Sequence, residues 1–324
     1  MAAGSPAAII ETGHEGALKP RRTEQRNPRT RGLDRTSALE IVRALNREDA
    51  SLARAVRREL PRIARAVDAA ANAFQRGGRL FYVGAGTSGR LALLDAAECP
   101  PTFGTPPGMV QAILAGGSSA LRRAREGAED SAAQGARDLR RAGVTERDVV
   151  VGLSASGTTP YVLGALEVAR RKGALTVGIT SNPGSLVARR AAIGIAPDTG
   201  PEAVAGSTRL KAGTAQKMVL NLLSTAAMVR SGRVYDNWMV YVALTNRKLR
   251  RRGARVLEEA AGVNERDAEE ALRRANYDLP VALVMLKIGA SALEARRRLA
   301  QAGGNVRQAL EAAKMRQARP SGRG

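Results

Sequence analysis

The sequence predicts an α/β protein: a five-stranded, parallel, doubly wound sheet, preceded by N-terminal helices and followed by a small C-terminal all-helical domain. Three observations carry this. Between residues 79 and 196 five short apolar runs rich in Val, Ile and Leu alternate with helical patterns, as in a parallel sheet buried on both faces. Beyond about residue 233 only helical periodicity remains. Two strand-to-helix junctions are crowded with glycine and hydroxyl residues, and such junctions at the carboxyl ends of parallel strands are where α/β sheets bind ligands.

The elements follow in order. Residues 1–22 read as a loose arm. Residues 23–36 read as extended or turn-like, with Pro28 barring a helix. Thr36-Ser37 can cap a helix through Ile41, Val42 and Leu45, and a longer amphipathic helix, bent at Pro61, covers about 51–76 and stops at Gly77-Gly78. The first strand is 79–83 and its helix 88–98, stopped by Pro100-Pro101 before a loop at 99–108. The second strand, 109–114, leads through Gly116-Gly117-Ser118 to a helix ending near 130 and another at 131–142. The third is 148–153 with a helix at 159–172; the fourth is 174–180, with a short helix after Pro183. The fifth is 193–196, and a loop at 197–208 precedes a long helix at 209–231. Residues 234–250 read as one helix, and 251–314 as short helices divided by Gly262, Pro280, Gly289 and Gly303-Gly304. The resulting division is an arm at 1–35, a sheet domain with its N-terminal helices at 36–232, a helical domain at 233–315 and a basic tail at 316–324. Within the helical domain, about 253–290 resembles a three-helix ubiquitin-associated-type module, expected here to serve as a dimer or lid element.

Composition narrows the function. The 324 residues are 44% hydrophobic but only 3% aromatic, so the core is aliphatic. No apolar run reaches the roughly 18 residues that cross a bilayer, and the N-terminus shows no secretory h-region. Cys99 is the single cysteine, which excludes an internal disulfide and suits a reducing, cytoplasmic compartment. The single histidine, His14, falls in the arm. Ser-His-Asp and Cys-His machinery and histidine-rich metal sites are thereby excluded, and acid–base chemistry must use Glu, Asp, Lys or Tyr. The net charge of +22 could mark nucleic-acid binding. The arginines fall on exposed-looking helix faces without an aromatic-interleaved basic sheet or a recognition helix. No specific nucleic acid is therefore expected, only polyanion binding at low salt.

Gly84-Ala85-Gly86-Thr87-Ser88-Gly89-Arg90 lies between the first strand and its helix. Glycines there let backbone N–H groups approach an anion at a helix N-terminus. The spacing fits G-x-G-x-x-G, yet the next strand ends in Ala115-Gly116-Gly117 without the carboxylate that a dinucleotide ribose requires. The loop is read as holding a single phosphate, with Thr87 and Ser88 as hydroxyl donors. Ser154-Ala155-Ser156-Gly157-Thr158-Thr159-Pro160 follows the third strand. An ordinary N-cap needs one hydroxyl; four crowd into six positions, pointing to a ligand.

At these residues the sequence resembles the sugar isomerase (SIS) domain family, whose Ser-x-Ser-Gly-x-Thr turn matches Ser154, Ser156, Gly157 and Thr159 and whose Gly-Thr-Ser turn matches Gly86, Thr87 and Ser88. The resemblance implies a phosphosugar ligand. Longer stretches are similar to the N-acetylmuramic acid 6-phosphate etherase family: Thr23-Glu24-Gln25-Arg26-Asn27-Pro28, Ala97-Glu98-Cys99-Pro100-Pro101-Thr102-Phe103-Gly104, Glu126-Gly127-Ala128-Glu129-Asp130, and Ser207-Thr208-Arg209-Leu210-Lys211-Ala212-Gly213-Thr214-Ala215-Gln216-Lys217. Thr208 stands where serine is expected, with the hydroxyl kept. This resemblance implies cleavage of the D-lactyl ether of N-acetylmuramic acid 6-phosphate in cell-wall recycling, without metal or organic cofactor, by a homodimer whose subunits complete each other's sites. It makes Glu98 the proton donor and Glu129 the second catalytic glutamate, assigned as base, with Glu126 in reserve on the same helical face. Ser207 and Lys211 are expected to meet phosphate, lactate carboxylate or ring oxygen. A non-catalytic phosphosugar sensor and an aldose–ketose isomerase are the alternatives; a retained pair of glutamates favours the etherase. Cys99, with no base beside it, reads as a packed side chain.

Overall fold

The computed structural model describes residues 21–317 apart from residue 124. The expectations for residues 1–20, His14 among them, and for 318–324 lie outside the described residues. Three short 3-10 turns, Arg22–Glu24, Pro28–Thr30 and Leu33–Arg35, lead to α1 (Ala38–Asp49). Ser37 caps it in a reciprocal capping box with Glu40. The expected 51–76 helix is two, α2 (Leu52–Arg57) and α3 (Leu60–Gln75), with Pro61 in the first turn of α3, where its missing N–H costs nothing.

The sheet then builds by alternation: β1 (Leu80–Gly84), α4 (Gly86–Phe103), β2 (Val110–Leu114), α5 (Ser119–Arg122), α6 (Ala132–Arg141), β3 (Val149–Leu153), α7 (Pro160–Arg171), β4 (Leu175–Ile179), α8 (Leu186–Arg190), β5 (Ile193–Ile195) and α9 (Lys211–Arg230). All strand pairs are parallel, in the order β2-β1-β3-β4-β5. Alternate strand residues feed two cores. Leu80, Tyr82, Val149 and Val151 join Phe74, Leu220 and Leu223 on one face. Phe81, Val83 and Val150 join Leu139, Tyr161 and Leu166 on the other. The doubly wound expectation holds.

Three further elements differ from the sequence reading. Pro100 and Pro101 do not stop α4, which runs to Phe103. They lie in its last turn, where Gly104 adopts φ +57° and Arg233 Nη1 donates to the carbonyls of Phe103 and Gly104 at 3.0 and 2.9 Å. Each proline forfeits its own bond to the carbonyl four residues back, and the helix runs only two residues past Pro101. Residues 125–131 form turns and a bend, not helix; α5 stops at Arg122. Residues 234–250 are not one helix. The chain runs irregularly through a Tyr235–Trp238 bridge to α10 (Arg247–Leu257), because Val240, Val242 and Leu244 are buried successively in a separate cluster and no helical stripe fits that period. α11 (Glu265–Arg274), α12 (Leu279–Ile288), α13 (Ala292–Gln301) and α14 (Val306–Gln317) complete that cluster.

A buried ion pair ties the N-terminal segment to α9. Lys211 Nζ lies 2.7 Å from Glu48 Oε2, with both side chains almost fully buried. Arg29 Nε and Asn27 Nδ2 also reach that carboxylate, at 2.6 and 2.8 Å. Burial alone would push the Glu48 carboxyl up, but the hydrogen bonds from Arg29, Lys211 and Asn27 outweigh it and hold it at about 2. Glu202 accepts from the N–H groups of Lys211 and Ala212 at 2.8 and 2.9 Å, closing the first turn of α9.

Removing one partner of a buried pair leaves the other charge uncompensated. Lys211→Met is expected to destabilise the fold by about 3 kcal/mol at neutral pH, read as a lower denaturant midpoint. Glu48 is depressed in the folded state, so its contribution is present above its ordinary value near 4.5 and fades as pH falls towards 2. The deficit of the variant should therefore shrink on acidification; a deficit constant from pH 7 to 3 would contradict this account.

Candidate active site

β1 and β3 are hydrogen-bonded neighbours with Gly84 opposite Leu153, and the strand order reverses between them. Strands lie about 4.8 Å apart, so the turns that follow the two strands emerge side by side at the switch point, where open α/β sheets bind ligands. The turns carrying Ser88 and Ser156 thus share one end of the sheet.

The first turn opens α4, with Gly86, Thr87 and Ser88 as its first three residues. An unbranched backbone is required at Gly89, where a Cβ would come within 2.3 Å of Leu114 Cδ1 and 2.7 Å of Gly84 O. Gly86 is exposed, Thr87 half-buried and Ser88 buried. The start of α9 rests on this turn: Ser88 Oγ donates to Gln216 Oε1 at 2.8 Å, and Thr87 Cγ2 lies 3.4 Å from where a Cβ of Gly213 would stand.

The second turn is a hydroxyl network. Ser154 Oγ lies 2.8 Å from Thr159 Oγ1 and 3.2 Å from Ser156 Oγ, which is 3.3 Å from Thr158 Oγ1. The N–H of Gly157 donates to Ser154 Oγ at 2.9 Å. Gly157 has φ +73°, and a Cβ there would stand 2.0 Å from Ser185 Oγ, so only glycine fits.

That contact reveals a third turn, at residues 180–185 after β4, which the sequence reading passed over. Thr180 Oγ1 and Asn182 Nδ2 donate to the Ala155 carbonyl at 3.2 and 2.9 Å, and Asn182 Nδ2 also reaches Thr23 Oγ1 at 3.1 Å. Thr23, Thr180 and Ser181 are wholly buried. The signal was present as a Thr-Ser-Asn-Pro-Gly-Ser run after a strand, but Ser, Asn, Pro and Gly are also ordinary turn formers.

Glu129, an exposed residue, is tied by its backbone to the helix that follows the second turn. Its carbonyl accepts from the N–H of Tyr161 at the start of α7, at 3.0 Å. The residue lines a cavity of about 190 Å³ together with Gly86, Arg90, Arg125 and Glu126. Arg90 is fixed there by donating to the carbonyls of Leu121 and Ala120 at 3.1 and 2.9 Å. Glu126 shares the cavity, though through a turn and not, as expected, through a helical face.

Glu98 is elsewhere. It is exposed on α4, ten residues and thus about 15 Å along the axis from Ser88. It does not end the helix. Lys211 is also corrected: its ammonium is occupied by Glu48 in the buried cluster, so it does not reach the turns as a phosphate contact. Ser207 is half-buried in the turn preceding α9. Cys99 is buried, its thiol pushed up to about 12 by burial and the negative charges of Asp95 and Glu98, which makes it a poor nucleophile. Among the described residues, no group of three or more His, Cys, Asp or Glu side chains gathers as a metal site, and no helix is long and apolar enough to cross a membrane.

The chain is similar to several known proteins. The profile of the glucokinase regulatory protein N-terminal SIS domain matches residues 62–170, and that of the SIS domain matches residues 128–226. An N-acetylmuramic acid 6-phosphate etherase of Yersinia pestis (strain Pestoides F) is 53% identical over 288 residues, covering 89% of this chain and 98% of the relative. The protein of that name from Yersinia pseudotuberculosis (strain IP 31758) has the same identity and coverage. Among solved structures, a phosphoheptose isomerase from Francisella tularensis aligns over 59% of this chain and 98% of its own, at 16% identity and a TM-score of 0.47. At 53% identity over nearly the whole length of its relatives, with the SIS turns in place, the chain belongs to the N-acetylmuramic acid 6-phosphate etherase family.

Proposed function

We propose that this protein is a carbon–oxygen lyase that converts N-acetylmuramic acid 6-phosphate and water to N-acetylglucosamine 6-phosphate and D-lactate, in cytoplasmic recycling of cell-wall amino sugars. The observation that carries the reading is the position of Glu129, in a cavity with Gly86 beside two hydroxyl-lined turns. The turns hold the phosphate with neutral donors and the helix N-terminus of α4; residues 86–88, Ser154, Ser156, Gly157 and Thr159 make these contacts. The sugar then extends over the cavity towards Glu129.

The chemistry follows from what an ether requires. In the open-chain aldehyde the C2 proton is acidic, and Glu129 takes it as general base. The lactyl oxygen is a poor leaving group and departs with a proton from Glu98, giving D-lactate and a 2,3-unsaturated aldehyde. Water then adds at C3, giving one proton to Glu98, while Glu129 returns its proton to C2. Both carboxyl groups end as they began.

A separation of about 15 Å along one helix puts Glu98 beyond the reach of a sugar held at its own chain's turn. A second copy of the chain supplies it. α4 and α9 run side by side and parallel, as the Ser88–Gln216 and Asp95–Ser224 hydrogen bonds require. Their outward faces leave Leu94, Leu222 and Val229 exposed, with Glu98 one turn beyond Leu94. An apolar patch rimmed by polar groups is a surface for association, and a two-fold axis through it carries each Glu98 towards the other subunit's turns.

Glu98→Ala and Glu129→Ala are each expected to lower D-lactate release by about 10²- to 10⁴-fold; full activity in either variant would remove that residue from the mechanism. Light scattering on the wild-type chain should give a dimer, and a monomer active at assay concentration would end the shared-site reading. Mixing the two inactive variants under conditions of subunit exchange should restore about a quarter of wild-type activity, since half the dimers are mixed and each has one intact site. No recovery in exchanged dimers would place both glutamates in one subunit.

A further inference from the structure

Gln216 is a polar side chain of α9 that is only 1% exposed and that the mechanism does not yet use. Its Oε1 accepts the hydroxyl hydrogen of Ser88 at 2.8 Å. Its Nε2 is buried and has no hydrogen-bond partner. A primary amide carries two N–H donors, and leaving both unpaired in the interior is costly. The half-satisfied amide lies directly against the first of the two turns assigned to phosphate.

The two orientations of this amide give Ser88 opposite characters. With Oε1 facing Ser88, the only hydroxyl hydrogen is directed into the protein, and Ser88 turns lone pairs towards any anion. A half-turn about the last side-chain torsion exchanges oxygen and nitrogen, which occupy nearly the same space. Nε2 then donates to Ser88 Oγ, and the hydroxyl hydrogen is released to donate elsewhere. A phosphate oxygen can accept from Ser88 only in the second state. An anion that binds one of two nearly balanced states better shifts the population towards it.

We propose that Gln216 is a positioning residue whose amide reverses when the phosphosugar binds, converting Ser88 from a donor to the protein into a donor to the phosphate. The inference rests on the phosphosugar reading of the turns. It also gives a reason for a buried amide among Ala212, Ala215, Val219 and Leu220: an apolar residue of the same size would leave the Ser88 hydroxyl with neither a fixed direction nor a polarising donor.

The test compares wild type, Gln216→Met, Ser88→Ala and the double variant. Binding of N-acetylglucosamine 6-phosphate is measured by calorimetry, and KM and kcat from D-lactate release. Gln216→Met is expected to weaken binding and raise KM by about tenfold while kcat changes by less than about threefold. In the Ser88→Ala background the same substitution should add nothing, because the two residues act as one unit. Binding within twofold of wild type, or an equal loss in both backgrounds, would overturn the proposal. Should Gln216→Met not fold, the side-chain NH2 resonance of Gln216 decides. A shift on adding the phosphosugar to wild type that is absent in Ser88→Ala supports the reversal, and no shift in wild type refutes it. A wild-type protein that binds no phosphosugar would instead bring down the reading of the turns, and this inference with it.

Discussion

The site depends on one pairing, the in-register parallel alignment of β1 with β3. Gly84 opposite Leu153 ends both strands at one level, so two turns far apart in sequence emerge as neighbours. Each alone is unremarkable: a glycine-rich helix start and a run of hydroxyls. Set side by side at the switch point, they present backbone N–H groups, a helix N-terminus and several neutral hydroxyl donors to one small volume. Tyr161, the second residue of the helix that follows the hydroxyl turn, holds the carbonyl of Glu129, and Glu129 lines a cavity with Gly86 of the first turn.

The buried Glu48–Lys211 pair supports the site without touching ligand. It fixes the start of α9, and Glu202 closes the first turn. The next turn of the same helix brings Gly213 and Gln216 onto Thr87 and Ser88. A charge in the N-terminal segment thereby supports the seat of the glycine-rich turn from a distance. A lysine next to a conspicuous Ser-Thr pair looks like a phosphate ligand in one dimension; in three it is an anchor whose positive charge the carboxylate of Glu48 already satisfies.

Much of this was legible beforehand. Short apolar strands buried on both faces announce a parallel sheet, and four hydroxyls in six residues exceed what a helix cap needs. The failures have identifiable causes. Proline signals the end of a helix, yet α4 continues two residues past Pro101, and Arg233 caps the carbonyls of Phe103 and Gly104 at its end. Residues 125–130 are polar enough for an exposed helix, but the carbonyl of Glu129 is taken by the N–H of Tyr161 and the segment turns instead. The turn at 180–185 escaped notice because its residues are the usual ones of any surface loop, while its work is to brace Gly157 and Ala155 from behind.

The sequence by itself determined the five parallel strands, most of the helices and the two turns rich in glycine and hydroxyls, and it offered the pair of glutamates on which the proposed cleavage would turn. These are local properties: periodicity, turn chemistry and residue identity act within a few positions. Only the tertiary structure decided that the two turns share one end of the sheet, that Lys211 faces Glu48, that Gln216 faces Ser88, and that Glu98 stands three helical turns from the site it is meant to serve. Those are distances between residues remote in sequence, set by strand register and helix packing, and no one-dimensional pattern encodes them.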